Sequence, residues 1–389
     1  MGLANRVSTS WVNTKIERTL GSSRASVLRT VLLVGAGCLI TYLLLLPLFY
    51  LFSTFTNFSS QTRFQSLIHE PGEDTIEHFA GSRDCGITQA DIYDAPWPTS
   101  PNASPFCKNR ATLLEALSGG GRHGFDEPYV GKGCTYRWFP TPEICMILER
   151  LNAIVFVGDD VSRSIYAAFN VLFREDLVLG SLQEWLMTEE DRMKCKCDNQ
   201  FIDSQCQAFA IKSRDEVKKS ESGDRKGTPY FCERVPHAYI PVDTVPTSAA
   251  SQTLFKELMY SKPNPWQPSP MIFSFGHGSS FDVSTTTRAL DEWTSLATAA
   301  ERNIPMLFLG SPAFSLSKST GTAPDKGNLA VWQYLDEMSP VAKEKHFDVL
   351  SLYNLTLQAS TADGESFGEK VALVEAMMII NWLSKLETS

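Results

Sequence analysis

The strongest constraint on the fold is an alternation of short apolar runs with helix-like segments, which begins at Asn152. The apolar runs are "AIVFVG" (153–158), "PMIFSFGHG" (270–278), "IPMLFLG" (304–310) and "HFDVLSLY" (346–353). Apolar residues recur at helical spacing over 161–172, 284–302, 328–343 and 367–386. Buried strands that alternate with helices are typical of a parallel sheet with helices on both faces. The sequence therefore predicts a three-layer α/β domain over 151–389, with an insertion at about 186–265 where charge runs and four cysteines interrupt the pattern.

Residues 31–53 form an uncharged apolar run that is long enough to cross a membrane. About 20 helical residues span the bilayer core of about 30 Å. Basic residues dominate the chain before this run, and acidic residues follow it: Arg6, Lys15, Arg18, Arg24 and Arg29, then Glu70, Glu73, Asp74 and Glu77. By the positive-inside rule the N-terminus is cytosolic and the C-terminal domain is luminal or extracellular. We therefore expect a single-pass type II protein of the Golgi or plasma membrane, with a cytosolic tail (1–30), a transmembrane signal anchor (31–53) and a stem (54–80).

The cysteines and the glycosylation sequons agree with this topology. Cys38 lies inside the apolar run, and the other eight cysteines follow it: Cys85, Cys107, Cys134, Cys145, Cys195, Cys197, Cys206 and Cys232. An even number of cysteines on the oxidising side of a membrane predicts disulfides, although the spacing leaves their pairing open. The Cys-, Pro- and Gly-rich segment 81–150 is expected to pack on the α/β core. Three sequons, at Asn57, Asn102 and Asn354, predict N-glycosylation.

Zinc is an alternative use of the last four cysteines, from Cys195 to Cys232. Their spacing matches no common ligand pattern, and no histidine lies close by in the sequence. We therefore favour disulfides over a metal site.

The polar residues that follow the predicted strands locate the candidate site. In open parallel sheets, ligands bind beyond the carboxyl ends of the strands. Those ends carry Gly158-Asp159-Asp160, Gly276-His277-Gly278, Gly310-Ser311-Pro312 and the loop 354–366. The fold should bring them to one edge of the sheet even though they are far apart in the chain.

These motifs resemble the SGNH (GDSL-type) hydrolase superfamily, and most closely its PC-esterase branch of trichome-birefringence-like and capsule-O-acetyltransferase-like proteins. The similarity rests on "CTYRWFPTPEIC" (134–145), "IVFVGDDVSR" (154–163) and "DVLSLYNLTLQASTADGES" (348–366), and it covers roughly 134–386. It implies a flavodoxin-like fold and O-acyl transfer or hydrolysis on sugars. In that chemistry a serine is the nucleophile, and a histidine oriented by an aspartate is the base. A glycine and an asparagine of the motif blocks, with backbone N–H groups, hold the oxyanion.

The chain departs from this pattern at the chemically active positions. Gly158 and Asp159 match the first block, but Asp160 stands where the nucleophilic serine is expected. Gly180 corresponds to the glycine of the second block. Gly276-His277-Gly278 corresponds to a third block whose asparagine is absent. In the last block Asp363 matches, and Ser366 replaces the histidine. A carboxylate at position 160 also places negative charge where the oxyanion would develop, so we expect the usual acyl mechanism to be lost.

Two of these side chains have simpler structural interpretations. An acidic residue at the start of a helix is usually a cap, and we predict that role for Asp160. His277 is predicted to be a turn histidine hydrogen-bonded to backbone, with a relocated base as the alternative. Asp159, Asp160 and Asp363 could in principle supply oxygen ligands to Mg²⁺ or Ca²⁺, but they lack a recognised loop spacing, and no metal or other cofactor is expected.

The favoured function is therefore a membrane-anchored, catalytically degenerate binding or accessory module for a polysaccharide or glycan, or for a glycan-modifying enzyme. The net charge of −9 argues against a nucleic-acid partner. An alternative is an active carbohydrate O-acetyltransferase or esterase with a rearranged site around Asp160, His277, Ser366 and Asp363. A metal-dependent hydrolase is the third hypothesis.

Overall fold

A computed structural model describes residues 74–94, 105–221, 230–260, 264–314, 327–361 and 363–387. Every described residue belongs to one compact unit of the chain. Within the described ranges, no helix has the length and apolar character needed to cross a membrane. The predicted tail, the predicted membrane span with Cys38, and the sequons at Asn57 and Asn102 all lie outside the described residues.

A five-stranded parallel sheet forms the centre of this unit and confirms the predicted α/β architecture. Its strands are β3 (Ile154–Gly158), β4 (His237–Pro241), β5 (Met271–Ser274), β6 (Met306–Gly310) and β7 (Phe347–Ser351). They are hydrogen-bonded in the order β4-β3-β5-β6-β7, and every adjacent pair is parallel. This order is compatible with a flavodoxin-like fold.

Helices cover both faces of the sheet. On one face, α4 (Asp160–Arg174) and α12 (Glu369–Ser384) pack against each other and against side chains such as Phe156. On the other face, α8 (Ala249–Met259), α9 (Val283–Ala299) and α10 (Asn328–Glu344) bury side chains such as Val155. Because successive strand residues point to opposite faces, a fully apolar strand is buried on both sides.

The shorter elements belong to the segment before β3, to the insertion and to the loop after β7. They are α1 (Gln89–Ile92), α2 (Arg110–Ser118), the antiparallel pair β1 (Gly121–Arg122) and β2 (Tyr129–Val130), α3 (Thr141–Leu148), α5 (Glu189–Lys194), α6 (Asn199–Ile202), α7 (Arg214–Glu221) and α11 (Tyr353–Thr356). Two 3-10 turns, Glu184–Leu186 and Cys206–Phe209, lie in the insertion. Aromatic residues of the first segment, Tyr93, Tyr136 and Trp138, join the main core cluster.

Strand β4 lies within the range that the sequence assigned to the insertion, as does α8. The strand is short, and Pro236 before it and Pro241 at its end make the sequence pattern untypical of a strand. It occupies the edge of the five-stranded sheet beside β3, and on its outer side an isolated antiparallel bridge joins Ala238 to Ser213. Prolines at its ends therefore remove no ladder bond of a central strand. The central sheet therefore includes a strand from the predicted insertion.

All eight cysteines beyond the apolar run form disulfides, as predicted. The pairs are Cys85–Cys197, Cys107–Cys134, Cys145–Cys232 and Cys195–Cys206. Two of these bonds, Cys85–Cys197 and Cys145–Cys232, join the segment before β3 to the insertion. Because the four cysteines of the zinc alternative are all oxidised, they cannot supply thiolate ligands, and that alternative is excluded.

Candidate functional site

Gly158 makes the turn between β3 and α4. Its φ of +141° lies in a region that residues with a Cβ rarely adopt. A Cβ at this position would lie 1.7 Å from the carbonyl oxygen of Ser274 on β5. Only glycine permits this approach of the two strands, which brings the start of α4 beside the turn after β5.

Asp159, and not Asp160, is the N-cap of α4. Its extended backbone lets its Oδ1 accept a hydrogen bond from Val161 N at 3.2 Å. The same oxygen accepts from Ser274 Oγ at 2.9 Å, and Oδ2 accepts from Gly278 N at 2.9 Å. With these partners Asp159 is buried and ties β3, α4 and the turn after β5 together. The prediction that Asp160 caps the helix was therefore wrong.

Asp160 is the first residue of α4, and its carboxylate is largely solvent-exposed. The side chain is 79% exposed and forms an ion pair with Arg163 at 3.2 Å, one turn further along the helix. Negative charge in the first turn is favourable because it faces the positive end of the helix dipole. Asp160 thus stands at the mouth of the helix with its charge balanced by a cation from the same helix.

A small cleft of about 110 Å³ opens at this edge of the sheet. It brings together three predicted site residues that are distant in sequence, Asp160, His277 and Ser366. The other residues that line it are Val161, Arg163, Ser164, Phe201, Gln207, Pro312, Glu365, Phe367 and Glu375. Phe201 and Gln207 come from the insertion, which therefore lies over the carboxyl ends of the strands.

His277 does not make the backbone hydrogen bond that the sequence suggested. Its Nε2 is buried and has no hydrogen-bond partner within the described ranges. The ring packs instead against Phe281 and Phe314, with centroid distances of 5.2 and 5.7 Å. His277 therefore lines the cleft, while its Nε2 has no hydrogen-bond partner among the described residues.

Asp363 and Ser366 form a local turn that is held by hydrogen bonds to the aspartate carboxylate. Oδ1 of Asp363 accepts from the backbone N–H groups of Glu365 and Ser366, at 2.8 and 2.6 Å. Oδ2 accepts from the Ser366 hydroxyl at 2.8 Å. The Ser366 proton is thus directed to a carboxylate, and no hydrogen bond joins His277 to Ser366 among the described residues. This geometry does not activate the serine by the histidine-based route.

The backbone N–H groups of two motif glycines are already used inside the protein. Gly180 donates to Asp176 O at 3.0 Å, and it does not line the cleft. Gly278 donates to the Asp159 carboxylate. At Gly276, a Cβ would lie 1.8 Å from Ser311 Oγ, so this glycine allows close packing of the β5 and β6 ends. The motif glycines therefore act in packing and in fixing Asp159.

Glu375 is the cleft residue that the sequence motifs missed. It lies on α12 and is 5% exposed, and burial raises its pKa to about 8. The Arg122 guanidinium lowers this pKa, but burial has the larger effect. A clue was present in the sequence, because Glu375 interrupts an otherwise apolar stretch, "VALVEAMMII". Strongly shifted acids in clefts are candidates for functional groups.

The sequon at Asn354 lies on α11 rather than in an exposed loop. The side chain is half-buried, and its Nδ2 donates to Ser118 O at 3.0 Å. Both features disfavour an attached glycan in the folded protein.

Within the described ranges, no group of three or more His, Cys, Asp and Glu side chains is placed to hold a metal ion. Asp159, which the metal hypothesis needs, already accepts three hydrogen bonds from the protein. Comparison of the chain with protein-family models, with curated proteins and with solved structures found no match.

Proposed function

We propose that this protein is a catalytically degenerate, SGNH-like module that binds a glycan in the cleft and does not transfer acyl groups. One observation carries the proposal: Gly278 stands where the resemblance places an asparagine that would help to hold the oxyanion, and its own N–H donates to the Asp159 carboxylate at 2.9 Å. An oxyanion would have to compete with a buried carboxylate for this donor. Removing a single oxyanion donor already lowers the rate by about 10² to 10³.

The charge at the nucleophile's position supports the same conclusion. Asp160 stands there as a carboxylate paired with Arg163. An anion that developed about 4 Å from this carboxylate would be repelled by about 4 kcal/mol at an effective dielectric constant near 20. The pairing with Arg163 reduces this repulsion but supplies no nucleophile.

The residues that line the cleft suit a sugar. Hydroxyl, amide and carboxyl groups (Ser164, Ser366, Gln207, Glu375) alternate with the aromatic rings of Phe201 and Phe367. Sugars offer hydroxyl groups for hydrogen bonds and apolar C–H faces for aromatic contact, so such a mixed surface is complementary to them. The cavity of about 110 Å³ is smaller than the about 300 to 1,000 Å³ of typical ligand pockets, so we expect a glycan to enter it with one end and not with a long chain.

The proposed setting is a secretory-pathway membrane, with the described unit on the luminal side. Four disulfides support an oxidising compartment, and the uncharged run 31–53 would provide the anchor. In that setting the module would deliver or retain a glycan for a glycan-modifying enzyme.

The test uses the full chain, produced in an oxidising host and purified in mild detergent. We expect no hydrolysis of acetyl esters and no labelling by a fluorophosphonate probe, but retention on a glycan array. Ser164→Trp, which fills the cleft, should abolish that retention. Ser295→Trp, at an exposed position on α9, is the matched control and should leave it unchanged. Retention that survives Ser164→Trp would contradict binding in the cleft.

An active esterase is the second candidate. It is favoured by the buried His277 Nε2, which has no hydrogen-bond partner among the described residues, and by Ser366, which lines the same cleft as His277. Ester turnover that disappears in Asp363→Ala and in His277→Ala would support it and refute the binding-only proposal. Asp160→Ser with Ser366→His, which restores the two family residues, should turn over only if the scaffold is otherwise competent. Activity that EDTA removes would instead favour a metal-dependent hydrolase.

A further inference from the structure

Glu375 is an acidic residue that lines the cleft and has no ion-pair partner among the described residues. Within the described ranges its carboxyl makes no hydrogen bond and no ion pair. It is 5% exposed and shares the cleft with Asp160, His277 and Ser366. A buried carboxyl without protein partners has both hydrogen-bonding capacities unused, so it can bond to a ligand.

The surroundings of Glu375 keep it uncharged at neutral pH. Burial opposes ionisation, and the pKa of about 8 means that most molecules hold a proton there at pH 7. Arg122 is the cation that lowers this pKa, but its Nε and Nη1 donate to the carbonyls of Leu355 and Glu127, and it lines another cavity. Arg122 is therefore held by backbone and forms no ion pair with Glu375.

We propose that Glu375 contacts the ligand as a neutral hydrogen-bond donor, and that the cleft selects an uncharged, hydroxyl-rich sugar over an acidic one. This inference rests on the proposed glycan binding at the same site. A protonated carboxyl offers one O–H donor and acceptor positions, which matches the paired donor and acceptor character of a sugar hydroxyl.

The charges that face the cleft support selection against acidic ligands. The α4 helix contributes Asp160 and Arg163, which neutralise each other. The turn after β5 contributes His277, and the loop before α12 contributes Glu365, next to Asp363. Among the described lining residues Arg163 is the one Lys or Arg, and its guanidinium is already paired with Asp160. A carboxylate or sulfate on the ligand would meet repulsion without a free cation to offset it.

The proposal predicts that binding weakens as pH rises through the pKa of Glu375. When only the protonated form binds, the apparent affinity falls with the fraction of that form. That fraction is about one in ten at about pH 9, so binding should weaken about tenfold relative to about pH 6. Ionisation would also add a second negative charge to the cleft.

The experiment measures binding of the full chain to neutral trisaccharides (maltotriose, cellotriose, mannotriose and chitotriose) and to trigalacturonic acid, by saturation-transfer NMR and calorimetry. Wild type should bind one or more neutral probes at about pH 6 and lose about tenfold at about pH 9. Glu375→Gln keeps a neutral donor, so at both pH values it should bind within about threefold of the wild-type affinity at about pH 6. Glu375→Met removes the hydrogen bond and should weaken binding about tenfold at about pH 6. Glu337→Gln, an exposed change on α10, should follow wild type, and thermal melts establish that each variant is folded.

The outcomes separate the two proposals. Equal binding of trigalacturonic acid, or a wild-type affinity that is constant between the two pH values, overturns the role of Glu375 but leaves glycan binding intact. Binding by Glu375→Met that equals wild type does the same. If no probe binds any variant, glycan binding itself is refuted, and the role of Glu375 falls with it.

Discussion

The pH dependence of stability in Glu375→Gln tests whether Glu375 is neutral in the folded protein. The folded chain holds a proton on Glu375 up to a pKa of about 8, whereas the ordinary value is 4.5. Because the pKa of Glu375 is raised in the folded state, the protonated carboxyl contributes its full stabilisation at pH values below the ordinary pKa. This stabilisation is lost as the pH rises from the ordinary pKa to the raised pKa. The difference between the two pKa values corresponds to about 5 kcal/mol over the whole window.

The change to glutamine removes this titration while it keeps the shape of the side chain. We expect the two proteins to unfold at similar urea concentrations near about pH 5, where both carry a neutral group in the folded state. Near about pH 8.5 the variant should be more stable by about 4 kcal/mol, because it avoids burying a charge. The assay is urea unfolding followed by circular dichroism at both pH values, with disulfides intact.

Comparison between variants isolates this effect from other titrating groups. Glu369 is also buried on α12, and burial raises its pKa well above the ordinary value, but it is present in both proteins. Glu337→Gln makes the same chemical change where the side chain is solvated, and it should behave as wild type. A stability difference between wild type and Glu375→Gln that does not change with pH would refute the conclusion that Glu375 is neutral in the fold.

Three further predictions concern the scaffold. Gly158→Ala should lower the free energy of unfolding by more than about 3 kcal/mol in urea titrations, because its Cβ would collide with Ser274 O, whereas Gly121→Ala has open space and should be tolerated. Burial lowers the pKa of His237 from 6.5 to about 3, so between these pH values the unfolded chain binds a proton at His237 and the folded chain does not. The protein should therefore lose stability as pH falls below 6.5, by up to about 1.4 kcal/mol per pH unit. His237→Gln should reduce this loss, which thermal melts at several pH values measure. Replacing both Cys145 and Cys232 by alanine should cost about 2 to 4 kcal/mol in urea unfolding, and an unchanged midpoint would contradict the assigned pair.

Sequence patterns located most of the core because burial on both faces of a sheet requires continuous apolar strands. The run before Gly158 became β3, and the segments with helical periodicity became α9, α10 and α12 within a few residues of their predicted ends. The edge strand β4 was not predicted because it has only five residues, follows Pro236 and ends at Pro241. Local composition also cannot show that this segment pairs with β3.

The candidate site was only partly predictable. The rule that sites form at the carboxyl ends of parallel strands correctly grouped Asp160, His277 and Ser366 in one cleft. Which of two adjacent aspartates caps α4 depends on backbone angles, and the extended conformation at Asp159 decided it. The absent hydrogen bond of His277 depends on Phe281 and Phe314, which surround its ring.

The sequence by itself determined the class of fold, the oxidation of the eight cysteines and the edge of the sheet where polar motif residues gather. These properties follow from periodicity, composition and chain order, which are local or one-dimensional. Only the tertiary structure decided the pairing of the cysteines, the use of Gly278 N–H by Asp159, and the arrival of Glu375 in the cleft. Each of these depends on which residues, distant in sequence, lie together in the protein interior away from water. In that environment the neighbouring groups determine the strength of a hydrogen bond and the pKa of an acid.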